Sequence, residues 1–214
     1  MYYNQQNNNS IKKIRTKNTP GFLVFVNIAS KYQPKIAGRP SAWRPSNNNG
    51  LANRFKNLNN NSIGIELENK GHQYGYQDFP SKQIKQLIKI LKILKKKFKI
   101  QNTNIIGHSD IAPSRKTDPG EKFPWKKLYK NDLAIWHSLD EKFINNFRLK
   151  KLININKKNM LKMIKKLGYS RVLTAGQLDK DFTKAFQRRY RQQLINGIFD
   201  QECYLILNNL QKFI

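Results

Sequence analysis

Acidic residues are scarce in this chain. Asp and Glu number 13 against 41 Lys and Arg in 214 residues, a formal net charge of +28. Cysteine is nearly absent: Cys203 stands alone, which excludes an intramolecular disulfide and a cysteine-built zinc site. Long apolar runs are missing too. The apolar stretches are too short, or too often broken by Lys, to form a membrane-spanning helix. The opening "MYYNQQNNNSIKKIRTKNTPG" has no apolar run after its charges and so is not a standard secretory signal. The chain reads as soluble, with its export left open.

The basic excess has two readings. One is a polyanionic partner, nucleic acid or an anionic polymer surface. The other is a general drift towards Lys, Asn and Ile, visible in "NNNGLANRFKNLNNNS" and "LIKILKILKKKFKI". We favour the second, because basic residues recur from Lys12 to Lys212 instead of clustering, and no nucleic-acid-binding motif is present. Apolar residues still make up 38% of the chain, enough for a core.

Residues 1–20 are polar and suit a poorly ordered segment. "GFLVFVNIAS" (21–30) reads as a buried strand. Residues 31–61, with Pro34, Pro40, Pro45, Gly38 and Gly50, read as loop. "SIGIELEN" (62–69) alternates, with Ile63, Ile65 and Leu67 on one face and Glu66 and Glu68 on the other. A helix follows, with Ser81 as N-cap and Ile84, Leu87, Ile88, Leu91, Leu94 and Phe98 on one face. "TNIIGH" (103–108) reads as another buried strand with His108 at its C-terminal end. A weakly periodic segment runs to 150. Helical patterns then cover 157–167, 178–190 and 200–212. Their apolar faces are Leu161, Ile164 and Leu167, then Leu178, Phe182, Phe186 and Tyr190, then Tyr204, Leu207 and Leu210. The domains are therefore 21–150 and a small three-helix unit, 151–214, large enough to fold alone.

The irregular stretch "GHSDIAPSRKTDPG" (107–120) carries the chemistry. Catalytic zinc sites use three protein ligands and leave one position for water. His108 and Asp118 are suitable ligand types, Lys116 could hold a developing oxyanion, and a carboxylate on the alternating strand could serve as general base. Alternation does not choose between Glu66 and Glu68. Each residue also has a plain reading: a packing His, a turn-capping Asp in Asp-Pro-Gly, one Lys among many, and a solvated strand charge.

Together "SIGIELEN" and "GHSDIAPSRKTDPGEKFPW" resemble the zinc-dependent N-acetylmuramoyl-L-alanine amidases of the amidase-2 type, relatives of T7 lysozyme and the peptidoglycan recognition proteins. The likeness covers about residues 20–130, and "AGRPSAWRP" (37–45) contributes to it. Residues 151–212, with "AFQRRYRQ" and "INGIFD", resemble a peptidoglycan-binding three-helix module. The resemblance implies an α/β (α+β) fold with a mixed central sheet and flanking helices, and a monomer. It implies zinc-dependent hydrolysis of the amide between N-acetylmuramic acid and L-alanine in peptidoglycan or muropeptides. His108 and Asp118 would be zinc ligands, Glu66 the catalytic acid/base and Lys116 the oxyanion stabiliser. It places the protein in a bacterium, without choosing between cytoplasm and cell envelope.

The pattern breaks in one region. The family's third zinc ligand, a His at the end of the first core strand, falls on Val26. The family's Trp-His before Ala-Gly is Lys35-Ile36 here, and the segment between is much shorter, as an internal deletion would leave it. Such a deletion should expose a sheet edge and impair zinc binding. His72 reads as a loop residue and His137 as one packed on a helix. The alternative function is a non-catalytic peptidoglycan-binding protein.

Overall fold

A computed structural model describes residues 23–29, 62–169 and 173–214. The polar residues 1–20 and the whole of the expected loop 31–61, with the stretch 37–45 and the Lys35-Ile36 pair inside it, lie outside the described residues. Three strands form the main sheet: β1 (Leu23–Ala29), β2 (Ser62–Glu68) and β3 (Ile105–Gly107), in the order β2-β1-β3. Both pairings are antiparallel. Val26 lies opposite Ile65 on one side and Gly107 on the other.

The architecture is mixed α/β, as the sequence suggests. On β2 the alternation holds for Ile63, Ile65 and Leu67, which are buried, and for exposed Gly64. Helix α1 (Ser81–Phe98) buries Ile84, Leu87, Ile88, Leu91 and Leu94, the stripe that its 3.6-residue period prescribes. Its N-cap is Pro80, not Ser81: the Pro80 carbonyl accepts the first helical bond from Ile84, and Ser81 is already helical. Proline suits the helix start because its φ is fixed and it has no N–H to satisfy.

β3 is shorter than "TNIIGH" suggests. A 3-10 turn takes Asn102–Asn104, and His108 begins the short helix α2 (His108–Ile111) instead of ending the strand. The weakly periodic region contains α3 (Trp125–Tyr129) and α4 (Glu141–Asn145). Next come α5 (Lys157–Leu167), a two-stranded hairpin of β4 (Leu173–Thr174) and β5 (Gln177–Leu178), α6 (Lys180–Tyr190) and α7 (Gln201–Leu210). Asn156, Asp179 and Asp200 cap these three helices through their side chains, each cap worth about 1 kcal/mol. The hairpin, which periodicity did not reveal, displaces the start of the second helix from 178 to 180. On α5 the buried face is Met160, Met163, Ile164 and Leu167, and Leu161 is only partly covered.

One hydrophobic cluster runs from Ile63 and Ile65 through α1 to Phe182, Phe186 and Leu210. The last three helices therefore share their core with the sheet domain. Cys203 lies in this core, and burial pushes its thiol up to about 12, so it packs as a small apolar residue. Among the described residues no helix is long and apolar enough to cross a membrane.

Candidate active site

The register of the sheet brings the site together. Ile65 and Gly107 both stand level with Val26, and β2 and β3 run in the same direction. Glu66 and His108 are the next residues on their chains, so they flank β1 at a common level. Two strand spacings put their backbones about 10 Å apart. Glu66 is 7% exposed and His108 3%. Glu68 is half-buried.

The loop after β3 folds back on itself. The Ser109 N–H donates to the Asp118 carbonyl at 2.8 Å. His108 Nδ1 then lies 3.1 Å from Asp118 Oδ2, ten residues away in sequence. This close return requires Gly107. A Cβ there would sit 2.5 Å from Pro119 Cδ and 3.3 Å from Trp125 Cζ2. The inner curve of the loop is closed by Ala112 N–H bonding the His108 carbonyl at 3.0 Å and Lys116 N–H bonding the Ala112 carbonyl at 2.9 Å. Lys116 is half-buried on this turn.

A second layer fixes the far end of the loop. Tyr76 Oη donates to the Pro119 carbonyl at 2.6 Å and accepts from Lys122 N–H at 3.0 Å. Burial raises the Tyr76 phenol well above its ordinary pKa, so it remains a donor. His72 stacks on the Tyr76 ring at 4.3 Å and meets the Glu121 carboxylate at 3.1 Å. Burial pushes Glu121 up, but the His72 hydrogen bond and charges from His72 and Arg188 bring it net below the usual carboxylate range. His72 is thus a loop residue by position, in a 3-10 turn, and a brace on the segment after Asp118.

Inside the loop, Asp110 is 1% exposed. Its Oδ2 accepts from Gly107 N–H and from Arg189 Nη1, both at 2.8 Å, and its Oδ1 accepts from Tyr169 Oη at 2.7 Å. Removing one partner from such a buried ion pair costs about 3–5 kcal/mol. Asp110, Arg189, Tyr169 and Tyr76 were not singled out by sequence reasoning. Gly107 and Trp125 entered only as letters of a longer motif. His137 lies away from this loop, buried against Trp136 and bonded to the Tyr190 backbone.

As a metal centre the donor set is incomplete. His108 and Asp118 converge, but among the described residues no group of three or more His, Cys, Asp or Glu could hold a metal ion. No His, Cys, Asp or Glu precedes Glu66 in the whole sequence, so β1 offers none. Two such donors do not fit a zinc site that needs three.

The family model for N-acetylmuramoyl-L-alanine amidase (Amidase_2) matches residues 25–121. The chain is 30% identical over 193 residues to the N-acetylmuramoyl-L-alanine amidase AmiD of Escherichia coli, covering 83% of this chain and 69% of the relative. Among solved structures, AmpDh3 of Pseudomonas aeruginosa in complex with anhydromuramic pentapeptide superposes with a TM-score of 0.61 at 31% identity, covering 74% of this chain and 65% of that one. AmiD in complex with anhydro-N-acetylmuramic acid-L-Ala-D-gamma-Glu-L-Lys gives a TM-score of 0.58 at 28% identity, covering 87% of this chain and 78% of that one. The chain thus spans less than two thirds of the AmpDh3 chain, and 36% of the curated AmpD of Enterobacter cloacae.

Proposed function

This chain belongs to the N-acetylmuramoyl-L-alanine amidase family, and from that premise we propose that it hydrolyses the amide between N-acetylmuramic acid and L-alanine in peptidoglycan or its anhydro-muropeptides. The observation that carries the reading is the convergence of His108 and Asp118 at 3.1 Å, on a loop level with buried Glu66. The ligands bound by AmpDh3 and AmiD point to the same substrate class.

Glu66 is assigned as acid/base. It takes a proton from the attacking water and returns it to the departing alanine nitrogen as the C–N bond breaks. Burial keeps such a carboxylate away from competing water. Lys116 is assigned to the oxygen that gains charge in the tetrahedral intermediate, where one donor is worth about 10²–10³ in turnover. His108 and Asp118 are the remnant of the family's zinc ligands. Together they are one short of the three protein ligands of a catalytic zinc site. In this reading zinc binding is weakened by the valine at position 26, and the short segment between β1 and Ala37 is an internal deletion. The helices α5 to α7 serve as a peptidoglycan-binding unit.

The test uses the full chain, anhydro-muropeptide and mass spectrometry of released peptide, with zinc added or chelated. Release that Glu66→Gln abolishes supports the reading. No release by the native chain at any zinc concentration overturns it.

A further inference from the structure

Arg189 lies on α6, 79 residues beyond Asp110, yet its side chain ends inside the loop that presents His108. Its Nη1 reaches Asp110 Oδ2 at 2.8 Å and its Nη2 reaches the Ile105 carbonyl on β3 at 2.9 Å. The guanidinium lies over the Trp125 ring at 3.9 Å. Tyr169, just past the end of α5, holds the other oxygen of Asp110. Asp110 in turn holds the N–H of Gly107, the residue immediately before His108. Arg189 thus grips both sides of the β3–α2 junction, the strand through Ile105 and the helix through Asp110. Every partner is buried, so solvent does not screen or replace these bonds.

We propose that Arg189 is a positioning residue for the site: through Asp110 it sets the turn that aims His108 at Asp118, which makes α6 part of the catalytic machinery as well as of any wall-binding unit. A helix that only tethered substrate would need no buried charge in the sheet domain. The proposal rests on the functional reading above only for its effect on turnover; its structural arm stands apart.

The structural arm is histidine side-chain NMR, since the chain has three histidines whose ring signals can be assigned by substitution. In Arg189→Met the His108 ring signals should move, while those of His72 stay. Arg189→Lys, which keeps the charge but loses the forked donor, should move them less. Simple destabilisation lowers the melting temperature without moving a native-state signal. Should Arg189→Met not fold, Tyr169→Phe removes one hydroxyl from Asp110 and should shift His108 in the same sense. On soluble muropeptide, kcat should fall by up to about 100-fold, the scale of a 1 Å misplacement, with KM little changed. An unmoved His108 signal in a folded variant, or equal movement of His72, overturns the proposal. A chain that releases no peptide, but whose His108 signal moves as stated, overturns the amidase reading and leaves this one standing.

Discussion

Val26 stands opposite Gly107 in the β1–β3 ladder, one residue from the level of His108. The family resemblance places its missing zinc-binding His at this same position. Position 26 is level with Ile65 and Gly107, one residue out of step with Glu66 and His108, so a histidine there tests whether this register still presents the donor to the His108–Asp118 pair. Val26→His should raise zinc affinity. Loss of a mere supporting partner changes metal affinity by about 10–100-fold, so a regained ligand should give at least about 100-fold. Calorimetric zinc titration of both chains checks this. Equal affinities would show that the site has lost more than one ligand.

Gly107 is the other half of that relationship. Its missing side chain is what lets Pro119 close over the strand end. A proline ring cannot swing aside as a long side chain can, so Gly107→Ala must shift the backbone. The expected cost is about 1–3 kcal/mol, the range for overpacking, and a lengthened His108–Asp118 separation. Urea denaturation measures the first. Weaker zinc binding than in the native chain reports the second.

Much of this was legible in the sequence because periodicity is local. The α1 stripe, the β2 alternation and the limits of α5 follow from neighbours a few residues apart. The pairing of His108 with Asp118 could be suspected from one loop. Arg189 could not: nothing in "AFQRRYRQ" separates a buried Arg189 from Arg188, because burial depends on how α6 docks. Ser81 looked like the N-cap because a serine at a helix start usually is one, but the preceding proline already supplied the extended entry. The β4–β5 hairpin was invisible because two-residue strands carry no alternation; its turn rests on positive φ at Ala175 and Gly176.

Tyr76 provides a test of the outer brace. Tyr76→Phe keeps the ring that stacks on His72 and removes only the hydroxyl. The Pro119 carbonyl loses its donor and Lys122 N–H its acceptor. Each lost bond is worth about 0.5–1.5 kcal/mol, so stability should fall by about 1–3 kcal/mol. Zinc affinity should also fall, since Pro119 adjoins Asp118. A fall in stability alone would confine Tyr76 to packing.

His137 gives the chain a pH-dependent term far from the loop. Burial holds its imidazole below the ordinary value of 6.5, outweighing its bond to the Tyr190 backbone and the nearby Glu141 carboxylate. The folded state therefore binds the proton less readily than the unfolded state. This contribution is fully present above the unfolded pKa and is lost as pH falls through it towards the lower folded value. Stability measured by urea denaturation should decline from pH 7.5 to pH 5, about the interval in which histidine titrates. His137→Gln cannot take up a proton and should flatten that decline, even if it lowers stability at neutral pH by losing the stack on Trp136. An unchanged slope in the variant would show that His137 is not the group being titrated.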